Sequence, residues 1–558
     1  MSVNLIWRVD PDFSRWHDLG KAYAAARKDQ ASRSVRALPL ITRKGRKSCG
    51  RAPEGQGAGN ETRVSMQRPH RNLWLAGILA AEAILFLWKF DHFFNGDSLF
   101  FFSHRIEGWG DIWRIFRGPD HLWQYRPLTF VIFSFFLHPL FGMDPLGYNL
   151  FPLLVHGANT LVVFGIFRAM GLKERAALIG TFFFGTHSVA FYVTYGVAFL
   201  PDFSYSFFYL LSVYFFMRFL RAGLHRVLAL SVLMFLLALF CKEAAITLPA
   251  VIFTIAFLWD GESLCLRRGA FGAALRRCIG KSFPFLLLGG SYLTFHWIVK
   301  AGQIYAPGTN HPHHFELSLY SLHLKYKYLK WAFNLPDGLV FRFDGLTNYL
   351  IALAVLVFVI PFAFGTLRRL WSLDAPAWCG SIWFLAALSP VLFLRNLTMH
   401  HNLYVPVVGL SLLMGIWLDG VVERFAAAGM ATGRRLAPAF VAVCMAAVFF
   451  HNQNAVRDSW IAEASAIAES SLEDFQALRH SISDGSTLYI VDKSPERRGD
   501  LQWFYDYGSL FRLFYPAKVL DVHFIGPGGR LPARSEMPPR SVVLEFDGSG
   551  LSQVPDVF

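Results

Sequence analysis

Several short stretches place ionisable residues where a membrane surface can use them for chemistry. Asp97 stands in Phe94-Asn95-Gly96-Asp97-Ser98-Leu99-Phe100, just past the first hydrophobic run. An acid held among aromatics at such a surface is costly to keep there. Partial loss of water raises its proton affinity, which suits it to accept a proton. Further on comes Tyr125-Arg126-Pro127-Leu128-Thr129, where the proline forces an extended or turn conformation on Arg126. A guanidinium so presented can grip a phosphate bidentately. Lys242 and Glu243 are adjacent at the end of a later apolar run, Asp202 follows Pro201 at the start of another, and His400-His401 precede a third. Protonated histidines there can meet a phosphate. Each residue also has a structural reading. Asp97 can cap a helix over 98–105, Arg126 can snorkel to headgroups, and Lys242 and Glu243 can form an ion pair. Asp202 sits where a helix favours an acid in any case. Asp91, at the end of the first apolar run, reads either as a site residue or as an interfacial helix stop.

These residues need elements to hold them, and composition decides the class. The chain is 54% hydrophobic and only 16% charged, more apolar and less charged than a soluble globular protein. The net charge of +14 is scattered among short loops between apolar runs, which argues against a nucleic-acid-binding stripe. Runs of spanning length fall near 72–90, 148–168, 175–194, 202–220, 227–242, 244–260, 282–300, 348–366, 377–394, 403–420 and 436–451. They predict about eleven transmembrane helices. Arg168, Lys173 and Arg175 share one loop, and Arg218, Arg221 and Arg226 the next basic one. Arg267, Arg268, Arg276, Arg277 and Lys281 follow, then Arg368 with Arg369, then Arg424, Arg434 and Arg435. All fall on one side if the N-terminus is cytoplasmic; the short loops opposite carry only Lys242 and Arg395, as the positive-inside bias requires. The run 127–141 is short and contains His138-Pro139, so it reads as interfacial or re-entrant, leaving 91–147 and 301–347 as external loops.

At the ends, residues 1–71 are basic, rich in Gly, Ser and Arg, and without apolar periodicity, which predicts a disordered cytoplasmic tail. Met66 is an alternative start. Residues 452–558 predict a small external α/β domain, with strands at 487–491, 519–525 and 541–546 and a helix at 474–482. It falls on the periplasmic, extracellular or luminal side. The six cysteines show no CxxC pair and no metal-ligand spacing. His311-Pro312-His313-His314 looks metal-like but lacks a supporting acid spacing. His156 and Asn159 share a helix face and predict hydrogen bonding between helices. Asn396-Leu397-Thr398 matches a glycosylation sequon.

Three further motifs follow Tyr125–Thr129 in order: Phe141-Gly142-Met143-Asp144-Pro145-Leu146-Gly147-Tyr148, continuing through Asn149–Val155 to His156; Cys241-Lys242-Glu243; and Leu403-Tyr404-Val405-Pro406. From Asp91 to about Gly420 the chain resembles the membrane part of the protein O-mannosyltransferase-like glycosyltransferases of the GT-C class, especially the group that carries tetratricopeptide repeats elsewhere. Asp97-Ser98 stands where that family has an acidic pair, and His400-His401-Asn402 where it has Glu-Arg-Tyr. No tetratricopeptide pattern is present in this sequence. The resemblance implies an α-helical polytopic membrane protein that moves a sugar from a polyprenyl-phosphate carrier to a hydroxyl of a glycan or protein acceptor on the non-cytoplasmic face. It makes Asp97 the general base, with Asp91 as a second catalytic candidate. It makes Arg126, Lys242, Glu243, Asp202, His400 and His401 the substrate-binding candidates. No cofactor is implied with certainty; a divalent metal remains open. Two other functions stand beside it. A transporter or flippase for a lipid-linked glycan would be expected to show internal repeats, and the sequence displays none. A catalytically inactive GT-C scaffold would be consistent with the missing second acid.

Overall fold

The computed structural model describes residues 68–86, 92–117, 125–259, 271–304, 325–335, 355–394, 398–428, 431–457, 460–494 and 501–554. The N-terminal tail, Asp91, the His311–His314 stretch and the Asn396 sequon lie outside them.

Most of the described chain is helical, with a small sheet near the C-terminus. Helices Pro145–Ala169, Val197–Ala222, Ala375–Leu392 and His400–Ala427 are each long and apolar enough to cross a membrane. Glu174–Gly185 and Ser188–Thr194 form a fifth apolar unit, bent by 54° between its halves. Pro127–Phe141, His225–Cys241, Glu243–Trp259 and Ala437–Phe450 are shorter apolar helices. Prolines set several starts: Pro127, Pro145 and Pro201 lie in the first turns of their helices, where the missing N–H is no loss. Asp144 caps the second of these by accepting from the Leu146 amide at 3.0 Å. Gly223, at φ +68°, closes the Leu200–Ala222 helix in a left-handed turn.

The helix Tyr404–Ala427 is the spine of the bundle, buried along nearly its whole length. Small residues let its backbone touch two neighbours. A Cβ on Gly409 would lie 2.8 Å from the Phe384 amide nitrogen, and one on Gly180 would lie 2.6 Å from the Ser411 carbonyl oxygen. Neither backbone can yield cheaply. Gly409→Leu should therefore cost at least ~1–3 kcal/mol through overpacking, read as a lower thermal midpoint of the purified protein. Gly290→Leu, where nothing stands within 4 Å, should leave the midpoint unchanged.

Across the same spine, His156 and Asn159 do bridge helices. Tyr404 Oη meets His156 Nδ1 at 2.7 Å and accepts from Asn159 Nδ2 at 3.1 Å, while His156 Nε2 lies 3.0 Å from the Gly185 carbonyl oxygen. Glu82 completes this buried polar group, 3.9 Å from His156 Nε2.

The C-terminal sheet has strands β1 Ser486–Asp492, β2 Val519–Ile525, β3 Ser541–Phe546 and β4 Leu551–Gln553, in the order β2-β1-β3-β4. β1 pairs in parallel with β2 and β3, and β3 pairs antiparallel with β4. Central β1 is buried at every position, as a doubly flanked parallel strand must be. The helix Trp460–Leu478 packs on this sheet, with Asp474 Oδ2 accepting from the Leu551 amide at 2.7 Å.

Candidate functional site

Asp97 lies in the first turn of the short helix Gly96–Ser103. It is not the cap: Asn95 holds that position, and no side chain caps the helix. The approach to Asp97 is clamped by the C-terminal part of the chain. Asn95 Nδ2 and Tyr195 Oη both donate to the Ile461 carbonyl, at 3.4 and 3.2 Å. Ser465 Oγ donates to the Phe93 carbonyl at 3.0 Å, and the Phe93 and Phe514 rings sit 5.6 Å apart. Gly96 has φ +33°, and a Cβ on it would meet the Trp503 indole at 3.0 Å and the Trp503 carbonyl oxygen at 3.2 Å. Glycine is required there on both counts.

Arg126, whose charge reaches Asp97, belongs to one of two neighbouring ion pairs. Arg126 donates from Nε and Nη2 to the Glu243 carboxylate at 3.1 and 2.8 Å, a bidentate fork. Lys242 Nζ donates to Asp202 Oδ1 at 2.6 Å. Lys242 and Glu243 are thus both paired, but not with each other. Local backbone explains this. The His225–Cys241 helix ends at Cys241, whose carbonyl accepts from Thr129 Oγ1 at 3.0 Å, and Lys242 is extended at φ −158°, ψ 138°. Successive side chains of an extended segment point opposite ways, so Lys242 turns to the Leu200–Ala222 helix and Glu243 to Arg126. The Lys242–Asp202 pair is buried, with side-chain exposures of 9% and 5%, whereas the Glu243 carboxylate keeps 39%.

His401 lies within electrostatic reach of Asp202, Lys242 and Arg126 and packs against Phe199. Its neighbour His400 is stacked between Tyr192 at 4.1 Å and Trp331 at 3.7 Å between centroids. Trp331 belongs to the helix Tyr326–Ala332. That segment is tied down by Lys325 Nζ to Thr398 Oγ1 at 2.8 Å and by Asn402 Nδ2 to Tyr328 Oη at 3.1 Å.

The Asp97 carboxylate is exposed to solvent by surface, yet protein surrounds it closely. Its affinity for a proton is raised above the ordinary carboxylate value. The first cause is the protein packed round it, the second the negative charge of Asp506; a hydrogen bond from the Trp503 side chain and the positive charge of Arg126 oppose them.

The structure therefore brings Asp97, Arg126, Glu243, Lys242, Asp202 and His401 into one cluster, with His400 at its rim in an aromatic stack. Asp91 is outside the described residues. Among the described residues no group of three or more His, Cys, Asp and Glu is arranged to hold a metal ion. Trp503 and Asp506 went unread in the sequence, because nothing local to Leu501–Gly508 signals that this turn folds back onto Gly96.

Neither a protein-family model nor a curated protein sequence matches the chain. Solved structures do resemble it. The Archaeoglobus fulgidus oligosaccharyltransferase tethered to an acceptor peptide containing the NVT sequon is 13% identical, with a TM-score of 0.44 over 83% of this chain and 64% of that one. The same organism's AglB, in complex with an inhibitory peptide and a dolichol-phosphate, is 12% identical at a TM-score of 0.43, covering 81% and 65%. ArnT from Cupriavidus metallidurans bound to undecaprenyl phosphate is 13% identical at 0.40, covering 81% and 90%. AglB and ArnT are GT-C membrane glycosyltransferases. The chain spans just under two thirds of the length of the oligosaccharyltransferase. At TM-scores below 0.5 these are similarities only, and the functional reading rests on the sequence motifs and the geometry of the cluster.

Proposed function

We propose that this chain is an integral-membrane glycosyltransferase that transfers a sugar from a polyprenyl-phosphate carrier to an acceptor hydroxyl on the non-cytoplasmic face. The observation that supports the reading is a carboxylate of raised proton affinity that feels the charge of Arg126, itself forked onto Glu243 beside the buried Lys242–Asp202 pair. In the reaction, the acceptor oxygen bonds to the sugar's anomeric carbon as that carbon's bond to the phosphate oxygen breaks. Asp97 takes the hydroxyl proton, which an unactivated alcohol must lose as its oxygen bonds. The bonding pair leaves with the polyprenyl phosphate, whose added charge needs preorganised cations. Arg126 uses Nε and Nη2 on Glu243, which leaves Nη1 to donate to a phosphate oxygen. Lys242 adds a second positive charge, and Glu243 and Asp202 hold both cations in place. Asp91, His400 and His401 complete the candidate set. The acceptor is a glycan or a protein.

The same proposal takes about eleven spans, a cytoplasmic N-terminus and an external C-terminal domain from residue 452. Ser372 and Ser483 are both exposed and test it. In a background where Cys49, Cys265 and the half-buried Cys444 are replaced, Ser483→Cys should react with a membrane-impermeant maleimide from outside, and Ser372→Cys only after permeabilisation. Labelling of both from one side would overturn the orientation.

A further inference from the structure

The small α/β domain at the C-terminus is held against the rest of the chain. Four ties hold it to the segment that carries Asp97: Ile461 to Asn95, Ser465 to Phe93, Phe514 to Phe93, and Trp503 to Gly96. The turn that brings Trp503 down also carries Asp506. Asp506 and Tyr507 adopt left-handed backbone at φ +46° and +51°, and Gly508 follows at +89°. Its amides are used inward, Asp506 N to Trp503 O at 3.0 Å and Gly508 N to Tyr505 O at 3.1 Å. The fold of the turn is thus fixed by its own hydrogen bonds, and Gly508 is wedged against Val522 of β2.

We infer that Asp506, presented by this turn, is the second carboxylate of the Asp97 site, and that the C-terminal domain forms one wall of the reaction chamber. This deepens the proposed function and rests on it for the chemistry. Asp506 acts through Asp97 as a positioning residue. Two carboxylates held near each other by packed protein oppose each other's ionisation, so one of them holds its proton more tightly. A base so tuned takes the acceptor proton more readily than an isolated aspartate. The charged and titratable groups facing the pair are Arg126, His104 at the end of the Asp97 helix, and Arg512 in the helix Ser509–Phe514; Trp503 and Ser509 donate hydrogen bonds to Asp97 and Asp506 respectively.

The test needs no substrate. A hydrophobic carbodiimide reacts with a carboxylic acid in its protonated form, so mass spectrometry of Asp97 labelling against pH reports its protonation in the purified full-length protein. Asp506→Asn removes the charge yet suits the left-handed backbone, which asparagine tolerates well. The midpoint for Asp97 labelling should shift to lower pH in Asp506→Asn, because one of the causes that raise it is gone. Asp506→Glu should restore it. An unchanged midpoint in a folded Asp506→Asn protein would overturn the inference. A shifted midpoint in a protein that never cleaves a lipid-phosphate sugar would uphold the paired carboxylates and sink the glycosyltransferase reading.

Discussion

Asp97→Asn should lower sugar transfer by the purified protein by about 10²–10⁴-fold, the range that general-base catalysis usually contributes. The substitution keeps the size of the side chain and its ability to accept from Trp503, and it removes the proton acceptor. Donor binding and thermal midpoint should stay close to those of the parent, because Arg126 and Lys242 keep their own carboxylate partners. The pH profile gives a second readout. A general base at Asp97 would work as the carboxylate, so rate should be lost as pH falls through its pKa. That pKa is raised, so the acid limb should lie above the range of an ordinary aspartate. Transfer by Asp97→Asn at near the parental rate would remove Asp97 from the base role.

The second large effect is on stability. Lys242→Met should destabilise the protein by ~3–5 kcal/mol, because it leaves Asp202 buried without a partner. The double variant Lys242→Met, Asp202→Leu removes both charges and should recover most of that loss, since a buried ion pair is often replaceable by apolar residues at little net cost. Under the proposed function, transfer should stay low in the double variant, because the second positive charge for the departing phosphate is still missing. Thermal midpoint and rate measured on the three proteins separate the two roles. Recovery of transfer with recovery of stability would show that Lys242 serves folding alone.

Much of the site was legible because its residues sit at breaks in apolar runs. Arg126 precedes Pro127, Asp202 follows Pro201, and Lys242-Glu243 interrupts two helices. Each break exposes backbone and seats a charge that lipid would not accept. The strands were legible too: β2 and β3 occupy the stretches that their β-branched and aromatic residues marked. Partner choice was not. Adjacent Lys242 and Glu243 suggest a pair, and only the extended backbone at Lys242 sends them apart. The reach of the C-terminal domain was hidden for a related reason. Trp503 and Asp506 are distant in sequence from Asp97, and their contact depends on the tertiary fit of Gly96 under an indole. The helix Trp460–Leu478 begins well before the stretch at 474–482 that reads as helical, and that earlier part supplies the ties to Asn95 and Phe93.

The most direct test of the central proposal is the fate of the sugar–phosphate bond. Purified protein in lipid nanodiscs would be incubated with a panel of undecaprenyl-phosphate sugars and hydroxyl-bearing acceptors, and the lipid products read by mass spectrometry. A glycosyltransferase releases free undecaprenyl phosphate with one sugar in the panel, and Asp97→Asn does not. Intact donor throughout, bound by the parent and by Asp97→Asn alike, would contradict the proposal and leave a scaffold or a lipid-glycan transporter in its place.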